Sequence, residues 1–383
     1  VLPRIDEKVR VESRARERFF LNYCTFGYTM PWWGWTEWER FIDWMALQGV
    51  TMPLAITGQE AVWQRVWTRL GLSDEEVRAY FTGPAHLPWH RMSNIDRWQG
   101  PLPEEWIDGQ LALQQRILAR ERELGMKPVL PAFAGHVPQE LKRLHPDARI
   151  TRVSYWGGFD DRYRCSFLDP MDPLFAVIQR EFLTEQTRLF GTGHIYGADP
   201  FNEIDAPTWD PETLAGMSRH IYESMAEVDP EAVWHWTAEN IRAFLGAVPQ
   251  DRLLMLDYFC EFTEIWKQTE KFHGQPYLWC YLGNFGGNTM LSGNFHTVSA
   301  RMEDAFAHGG DNLRGVGSTL EGFGVNQFMY EFVLDKAWNT GIADDEWIAR
   351  LADRRTGFRD PAARTGWRTL CDSVYTLPAQ TGQ

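Results

Sequence analysis

The sequence predicts a (β/α)8 barrel. Short apolar, strand-like runs alternate with amphipathic helix patterns, and this alternation repeats about eight times. The chain has 383 residues, 44% of them hydrophobic, and a barrel of this class takes about 250 residues. We therefore expect a lead-in at 1–18, a barrel at 19–340, and the truncated start of an all-α C-terminal domain at 341–383.

Eight apolar runs, each bounded by Gly, Pro or polar residues, are the predicted barrel strands. They lie at 20–28, 51–56, 128–133, 194–199, 232–236, 253–259, 276–282 and 313–319. Apolar residues between them recur at helical spacing, as in the stripe Trp38, Phe41, Ile42 and Met45. A doubly wound open sheet is the structural alternative. It requires a Gly-rich phosphate turn after the first strand, and the sequence has none there.

Two segments depart from simple alternation. Residues 58–125 are too long for one crossover and contain helix patterns at 60–70 and 106–124. Long insertions at the top of a barrel usually build a pocket wall. After Trp338 the pattern changes to charged helices at 344–356 and 360–375, without a strand between them.

Charge and composition exclude several classes of partner. The net charge of -14 argues against nucleic acid, whose phosphates need a surface rich in Lys and Arg. No apolar stretch is long enough to cross a membrane. Five cysteines without a Cys-x-x-Cys pair argue against a disulfide framework. The sequence does not predict an oligomeric state.

The cellular location is not encoded in a recognisable signal. The chain begins at Val1 with a charged segment that resembles no signal peptide, so we interpret it as trimmed. It contains no Asn-x-Ser/Thr acceptor for N-glycosylation. Together with the sparse cysteines, this favours a bacterial protein, cytoplasmic or exported, over a lysosomal one.

Two glutamates are the candidate catalysts. Glu203 and Glu321 each follow a predicted strand and precede a helix pattern, which places them where α/β barrels keep catalytic residues. A pair of carboxylates at one barrel mouth is typical of glycosidic bond hydrolysis, and retaining enzymes hold the two about 5–5.5 Å apart. Asn202 beside Glu203 fits an acid/base, and Gly322 after Glu321 leaves room for a sugar ring. The alternative is that either carboxylate only pairs with an arginine.

Aromatic residues support a carbohydrate site. The chain has 19 tryptophans, several beside turn signals, as in Pro31-Trp32-Trp33-Gly34-Trp35. Indole faces stack on the C–H faces of sugars, while the ring N–H finds a polar partner. Any single tryptophan is more often a packing residue, so the prediction rests on the group.

Other chemistries lack their motifs, and we predict neither a metal nor a cofactor. His86 and His90 are four apart, but Pro88 interrupts the helix that a zinc pair would need. A dinucleotide turn and a Gly-x-Ser-x-Gly elbow are both missing. His136, after the third predicted strand, fits either a sugar hydroxyl or a structural hydrogen bond.

Ordered motifs from about residue 19 to 375 resemble the α-N-acetylglucosaminidases of glycoside hydrolase family 89. They include Gly58-Gln-Glu60-Ala-x-Trp63-Gln, Leu130-Pro-Ala-Phe-Ala-Gly-His-Val-Pro138, Phe201-Asn-Glu203 and Asn284-Phe-Gly-Gly-Asn288. The resemblance implies an exo-acting, retaining hydrolase that releases terminal α-linked N-acetylglucosamine from a glycan. It also implies that Glu203 is the acid/base and Glu321 the nucleophile.

The resemblance further implies a set of sugar-pocket residues. They are Asn22, Cys24, Trp89, His136, Trp156, Asn202 and Asn284. The sequence departs from the family after the fifth strand, where a longer Trp-containing loop is expected and residues 237–238 lead almost directly into a helix predicted at 239–245. We expect the given sequence to lack the N-terminal small domain of the family and to contain only the start of its helical domain. Two alternatives therefore stay open: a non-catalytic binding relative, and a retaining glycosidase for another α-hexoside.

Overall fold

The computed structural model describes residues 10–201, 203, 208, 210–236, 241–286, 291–324, 326–338 and 341–377. Its strands, in chain order, are β1 Glu17–Phe20, β2 Met52–Pro53, β3 Leu130–Pro131, β4 His136–Val137, β5 Ile150–Arg152, β6 Ser166–Leu168, β7 Ile195–Gly197, β8 Val233–Trp236, β9 Leu253–Asp257, β10 Tyr277–Tyr281 and β11 Leu313–Ser318. Eight of them form one parallel sheet in the order β2-β1-β11-β10-β9-β8-β7-β3.

The two edges of this sheet meet and close a barrel. A parallel bridge joins Leu54, after β2, to Val129, before β3. The Val129 N–H donates to the Pro53 carbonyl at 2.9 Å, and the Ala55 N–H donates to the Val129 carbonyl at 2.9 Å. The predicted (β/α)8 fold is therefore confirmed.

The described residues also form fifteen α-helices between and beyond the strands. They are α1 Thr25–Tyr28, α2 Trp35–Leu47, α3 Gln59–Arg69, α4 Asp74–Tyr80, α5 Leu87–Arg91, α6 Glu104–Glu123, α7 Leu141–Leu144, α8 Pro173–Phe190, α9 Pro211–Ala226, α10 Ile241–Leu245, α11 Ile265–Gln268, α12 Phe295–His308, α13 Gln327–Lys336, α14 Asp344–Thr356 and α15 Pro361–Ser373. No helix in the described ranges has both the length and the apolar character that a membrane crossing requires.

Three of these helices begin with the same two-residue signal. An aspartate caps the helix and a proline occupies its first turn at the start of α8, α9 and α15. The Asp172, Asp210 and Asp360 carboxylates accept hydrogen bonds from first-turn N–H groups at 2.8–2.9 Å. Proline has no N–H to leave unpaired there, so the sequence itself sets where each helix starts.

One predicted strand is misplaced. The first barrel strand was expected at 20–28, but it is β1, which pairs with β11 only as far as Phe20 and Ser318. Leu21 then has a φ of 91°, which ends the extended chain. The Thr25 hydroxyl donates to the Leu320 carbonyl at 2.5 Å, so α1 is held over the barrel mouth. The other seven predicted runs each contain the observed strand.

The connection between β3 and α8 contains a small antiparallel sheet that the sequence did not predict. Its order is β4-β6-β5. These strands have only two or three residues each, too few for a clear alternating pattern. The sheet matters because His136 lies in β4 and the loop after β5 carries Trp156.

The two unusual segments pack on different helices of the barrel. The insertion at 58–125 forms α3 to α6, with α6 packed against α2 and α3. Near the C-terminus of the chain, α14 packs on α13, and 4.9 Å separates the ring centroids of Trp347 and Phe332. Whether 341–383 begins a separate domain stays a prediction.

Candidate active site

A cavity of about 1710 Å³ opens where the loops after the barrel strands converge. Seven residues predicted from the sequence border it: Asn22, Cys24, Trp89, His136, Trp156, Glu203 and Glu321. Asn284 is buried next to Glu321 rather than in the cavity wall. Asn202 lies outside the described residues, as do the start of the helix predicted at 239–245 and the short segment before it.

Glu321 is held by the loop that leaves β10. Its backbone N–H donates to Asn284 Oδ1 at 3.3 Å. Its carboxylate Oε2 accepts a short hydrogen bond from the Gly286 N–H. Glu321 follows β11 by three residues, so its backbone position is set by the barrel itself. Glu321 is thus held at its backbone N–H and at its carboxylate, and it borders the cavity.

Glu203 is held differently. It lies six residues after β7 and has a φ of 50°, a conformation that non-glycine residues rarely adopt. Its Oε2 accepts hydrogen bonds from Asn94 Nδ2 at 3.1 Å and Trp156 Nε1 at 2.9 Å. Both donors come from segments inserted between barrel elements. Glu203 is exposed to the cavity, so Oε1 remains accessible.

Cys24 lies close to both carboxylates. Burial raises the pKa of its thiol well above the usual value, and Glu321 and then Glu203 raise it further. Burial together with Cys24 and the two glutamates raises the pKa of Tyr28 to about 12. Both groups are therefore neutral at physiological pH. They contribute polar hydrogens to the cavity without adding charge.

The side wall formed by β1 and the insertion is shaped by Asn22 and Trp89. Asn22 Nδ2 donates to the Thr319 carbonyl at 2.8 Å, and Asn22 Oδ1 accepts from the Cys24 N–H at 3.0 Å. The Asn22 amide therefore links the segment that follows β1 to the segment that follows β11. The Trp89 ring meets that of Tyr28 edge to face, with 5.1 Å between ring centroids.

His136 belongs to a buried hydrogen-bonded group. Its Nε2 lies 2.7 Å from Asp96 Oδ1, and His90 Nδ1 lies 3.1 Å from the same oxygen. Burial opposes the charge on Asp96, but the two imidazoles outweigh it and lower the pKa of the carboxyl group. Asp96 therefore remains ionised and orients the His136 ring toward the cavity.

These three side chains could also hold a metal ion. The ligand atoms of His90, Asp96 and His136 lie within 4.8 Å of one another, and two histidines with a carboxylate suit zinc. The hydrogen bonds to Asp96 already account for their arrangement, so we assign no metal. The histidine pair weighed from the sequence, His86 and His90, is not this group.

The rest of the cavity carries little positive charge. The Arg91 side chain is buried and forms a bidentate pair with Glu60, at 2.7 and 2.8 Å. Near the floor, burial lowers the pKa of His235 to about 3, so that imidazole is neutral. A neutral sugar fits these surroundings better than an anion does.

The sequence did not single out Asn94, Asp96 or Gly286. Asn94 and Asp96 lie in a turn within the insertion, far along the chain from the residues they contact. Gly286 contributes a backbone N–H, which has no sequence signature of its own. The only sequence signal for Asn94 and Asp96 was that two polar residues lie close together in an insertion rich in Pro and Trp, and this signal is weak.

An aromatic cavity with two carboxylates at the C-terminal mouth of a (β/α)8 barrel defines a class, the barrel glycoside hydrolases. The family model for the alpha-N-acetylglucosaminidase (NAGLU) TIM-barrel domain matches residues 18–340. The chain belongs to this family.

Relatives show how much of the family architecture the chain covers. Human alpha-N-acetylglucosaminidase is 44% identical over an alignment of 394 residues. The alignment covers 99% of this chain and 53% of the human protein. A family 89 glycoside hydrolase from Clostridium perfringens, in complex with 2-acetamido-1,2-dideoxynojirimycin, superposes with a TM-score of 0.91 at 30% identity. That match covers 100% of this chain and 44% of the clostridial one. The chain thus spans about half the length of these relatives.

A second clostridial structure matches equally well, with a TM-score of 0.91 and 30% identity over 100% of this chain and 44% of that one. It is a form with two glutamate-to-glutamine substitutions, in complex with its substrate GlcNAc-α-1,4-galactose. A family 20 β-N-acetylglucosaminidase shares only the fold, with a TM-score of 0.55 at 11% identity.

Proposed function

We propose that this protein is an exo-acting, retaining glycoside hydrolase that releases terminal α-linked N-acetylglucosamine from glycans. One observation carries the proposal. In the clostridial enzyme bound to its GlcNAc-α-1,4-galactose substrate, the two substituted glutamates are separated by the same number of residues as Glu203 and Glu321. In this chain both glutamates border one cavity.

In the first step, the Glu321 carboxylate attacks the anomeric carbon from the side opposite the leaving group. The bond from that carbon to the leaving oxygen breaks, and the Glu203 proton moves to this oxygen. The product is a β-glycosyl ester on Glu321. The Gly286 N–H bonded to Oε2 fixes that oxygen, which suits a nucleophile that must be aimed before it reacts.

The hydrogen bonds to Glu203 determine which oxygen handles the proton. Oε2 accepts from both Asn94 and Trp156. Among the described residues, no donor reaches Oε1. The proton is therefore carried on Oε1, and the two N–H donors hold the acid in a single orientation.

In the second step, Glu203 takes a proton from water, and the water oxygen attacks the anomeric carbon. The ester bond to Glu321 breaks and returns that carboxylate. Two inversions give a product of the original α configuration. Glu203 serves as acid in one step and as base in the next.

Proton NMR of an aryl α-N-acetylglucosaminide digest tests the reaction. We expect the α-anomer of N-acetylglucosamine to appear first, before mutarotation. Initial release of the β-anomer would rule out retention. Calorimetric binding of N-acetylglucosamine without turnover would favour the non-catalytic relative, and preference for another sugar in a panel of aryl α-hexosides would overturn the substrate assignment.

A further inference from the structure

Glu261 is a buried carboxylate outside the cavity wall, in the connection that follows β9. It is 3% exposed. Among the described residues it forms no ion pair. Moving a carboxylate out of water is costly unless hydrogen bonds or a counterion compensate, so an unpaired one in a barrel core needs an explanation.

Among the described residues, the donors from other residues that bind the Glu261 carboxylate lie in one short segment. Its Oε1 and Oε2 accept from the Leu282 N–H at 3.0 and 3.1 Å. Its Oε1 also accepts from the Gly283 N–H at 2.5 Å. These two residues begin the loop at 282–286, which we call the β10 exit loop.

The β10 exit loop is the segment that holds Glu321. Asn284 accepts from the Glu321 N–H, and the Gly286 N–H donates to the Glu321 carboxylate. Between these contacts and Glu261 the chain makes a sharp turn. Gly283 has a φ of 83°, and a Cβ there would lie 2.6 Å from the Tyr281 ring. The loop leaves β10 through a positive φ at Gly283, which residues other than glycine disfavour. Hydrogen bonds at the start of the loop therefore help to hold this conformation.

We propose that Glu261 is a positioning residue that anchors the β10 exit loop and thereby aims the Glu321 carboxylate. This role rests on the proposed function, because it assigns Glu321 as the nucleophile. Glu261 touches neither the cavity nor the reacting atoms and acts through the backbone of the loop. Burial, offset by the loop N–H groups, raises the pKa of Glu261 to about 7. The N–H groups of Leu282 and Gly283 favour the ionised carboxylate, but they offset only part of the effect of burial.

Replacing Glu261 with Ala tests the anchor. Without the acceptor, the loop can shift by a fraction of an ångström, and such misalignment lowers kcat by about ten- to a hundredfold while KM changes little. Glu261→Gln keeps the Oε1 acceptor for both N–H groups and should recover most of kcat. Glu261→Asp is one methylene shorter and should fall between the two. If the Glu261→Ala variant does not fold, the kcat of the Glu261→Asp variant tests the anchor instead.

Glu121→Ala is the matched control. Glu121 is fully buried in α6, outside the cavity, and its carboxylate has no hydrogen-bond partner among the described residues. It should lose stability without losing kcat. Equal kcat in the Glu261→Ala variant and the wild type would overturn the proposal. The proposal would also fail if kcat fell in proportion to the loss of stability in both Glu261→Ala and Glu121→Ala. It would fail as well if the Glu261→Gln variant lost as much kcat as the Glu261→Ala variant.

Hydrogen exchange separates this proposal from the proposed function. In the Glu261→Ala variant, the amides of Asn284 and Gly286 should exchange faster than in the wild type or the Glu121→Ala variant, whether or not substrate is hydrolysed. Unchanged exchange at these amides would overturn the anchor. A wild-type protein without hydrolase activity would overturn the proposed function and leave the exchange result to decide the anchor.

Discussion

The two carboxylates of the cavity are built by different parts of the molecule. Glu321 follows a six-residue strand closely and is held by the loop of the neighbouring strand. Glu203 lies six residues beyond a three-residue strand, in a left-handed conformation, and is held by side chains from two insertions. The barrel frame thus fixes one carboxylate, and the added segments aim the other.

This difference matches the proposed roles. A nucleophile must stay ionised and in line with one carbon atom, so a rigid backbone support serves it best. An acid/base must exchange a proton twice in each cycle and reach a leaving group of variable shape. Support from insertions allows that geometry to change between relatives without disturbing the barrel.

The largest expected effects come from exchanging each carboxylate for an amide. Glu321→Gln should abolish cleavage for every leaving group, because the nucleophile itself is lost. Glu203→Gln should lower the rate by about 10²–10⁴ for a poor leaving group but far less for an activated aryl glycoside, which needs little protonation. Initial rates with a series of aryl leaving groups measure this contrast.

Azide sharpens the same comparison, because it attacks a glycosyl-enzyme without a general base. It should accelerate turnover of the Glu203→Gln variant and give a glycosyl azide of retained α configuration. The Glu321→Gln variant should give none. If the retained azide forms with the Glu321 variant instead, the two roles are exchanged.

A smaller effect is expected from the donors that aim Glu203. Trp156→Phe removes one N–H and keeps the ring, and Asn94→Ala removes the other donor. A hydrogen bond to a charged group contributes roughly 1.5–3 kcal/mol, so each change should lower kcat/KM for a poor leaving group by about tenfold or more. Trp98→Phe is the control, since Trp98 packs on Phe159 in the same aromatic cluster and does not contact Glu203. Equal rates for the Trp156 and Trp98 variants would contradict this support.

The smallest effect on catalysis is expected at Glu121, which is remote from both carboxylates. Burial raises the pKa of Glu121 well above 4.5, so the folded protein holds a proton that the unfolded chain releases as the pH rises through that value. The stability of the wild type should therefore decline with increasing pH above 4.5, up to the folded-state pKa.

Glu121→Gln removes that dependence. The variant should match the wild type near pH 4 and become the more stable of the two as the pH rises above 4.5, with unchanged kcat. Urea unfolding at several pH values measures the difference. A variant less stable than the wild type at pH 8 would mean that Glu121 is ionised and paired in the folded state.

The residues around the two glutamates also differ in how well the sequence predicted them. Glu321 and Glu203 were identified from strand ends, and Trp89, Trp156 and His136 from the family resemblance and local motifs. All five border the cavity. The catalytic and binding roles of these residues stay predictions until the variants are measured.

The sequence by itself determined the barrel, because strand and helix periodicities are local, and Asp-Pro pairs and glycines mark where elements begin and end. It also placed two glutamates at strand exits. The tertiary structure alone decided that Asn94 and Trp156 meet Glu203, that Gly286 and Asn284 hold Glu321, and that Glu261 anchors their loop. These contacts join residues far apart in the chain, and they exist only because the closed barrel brings its loops to one mouth.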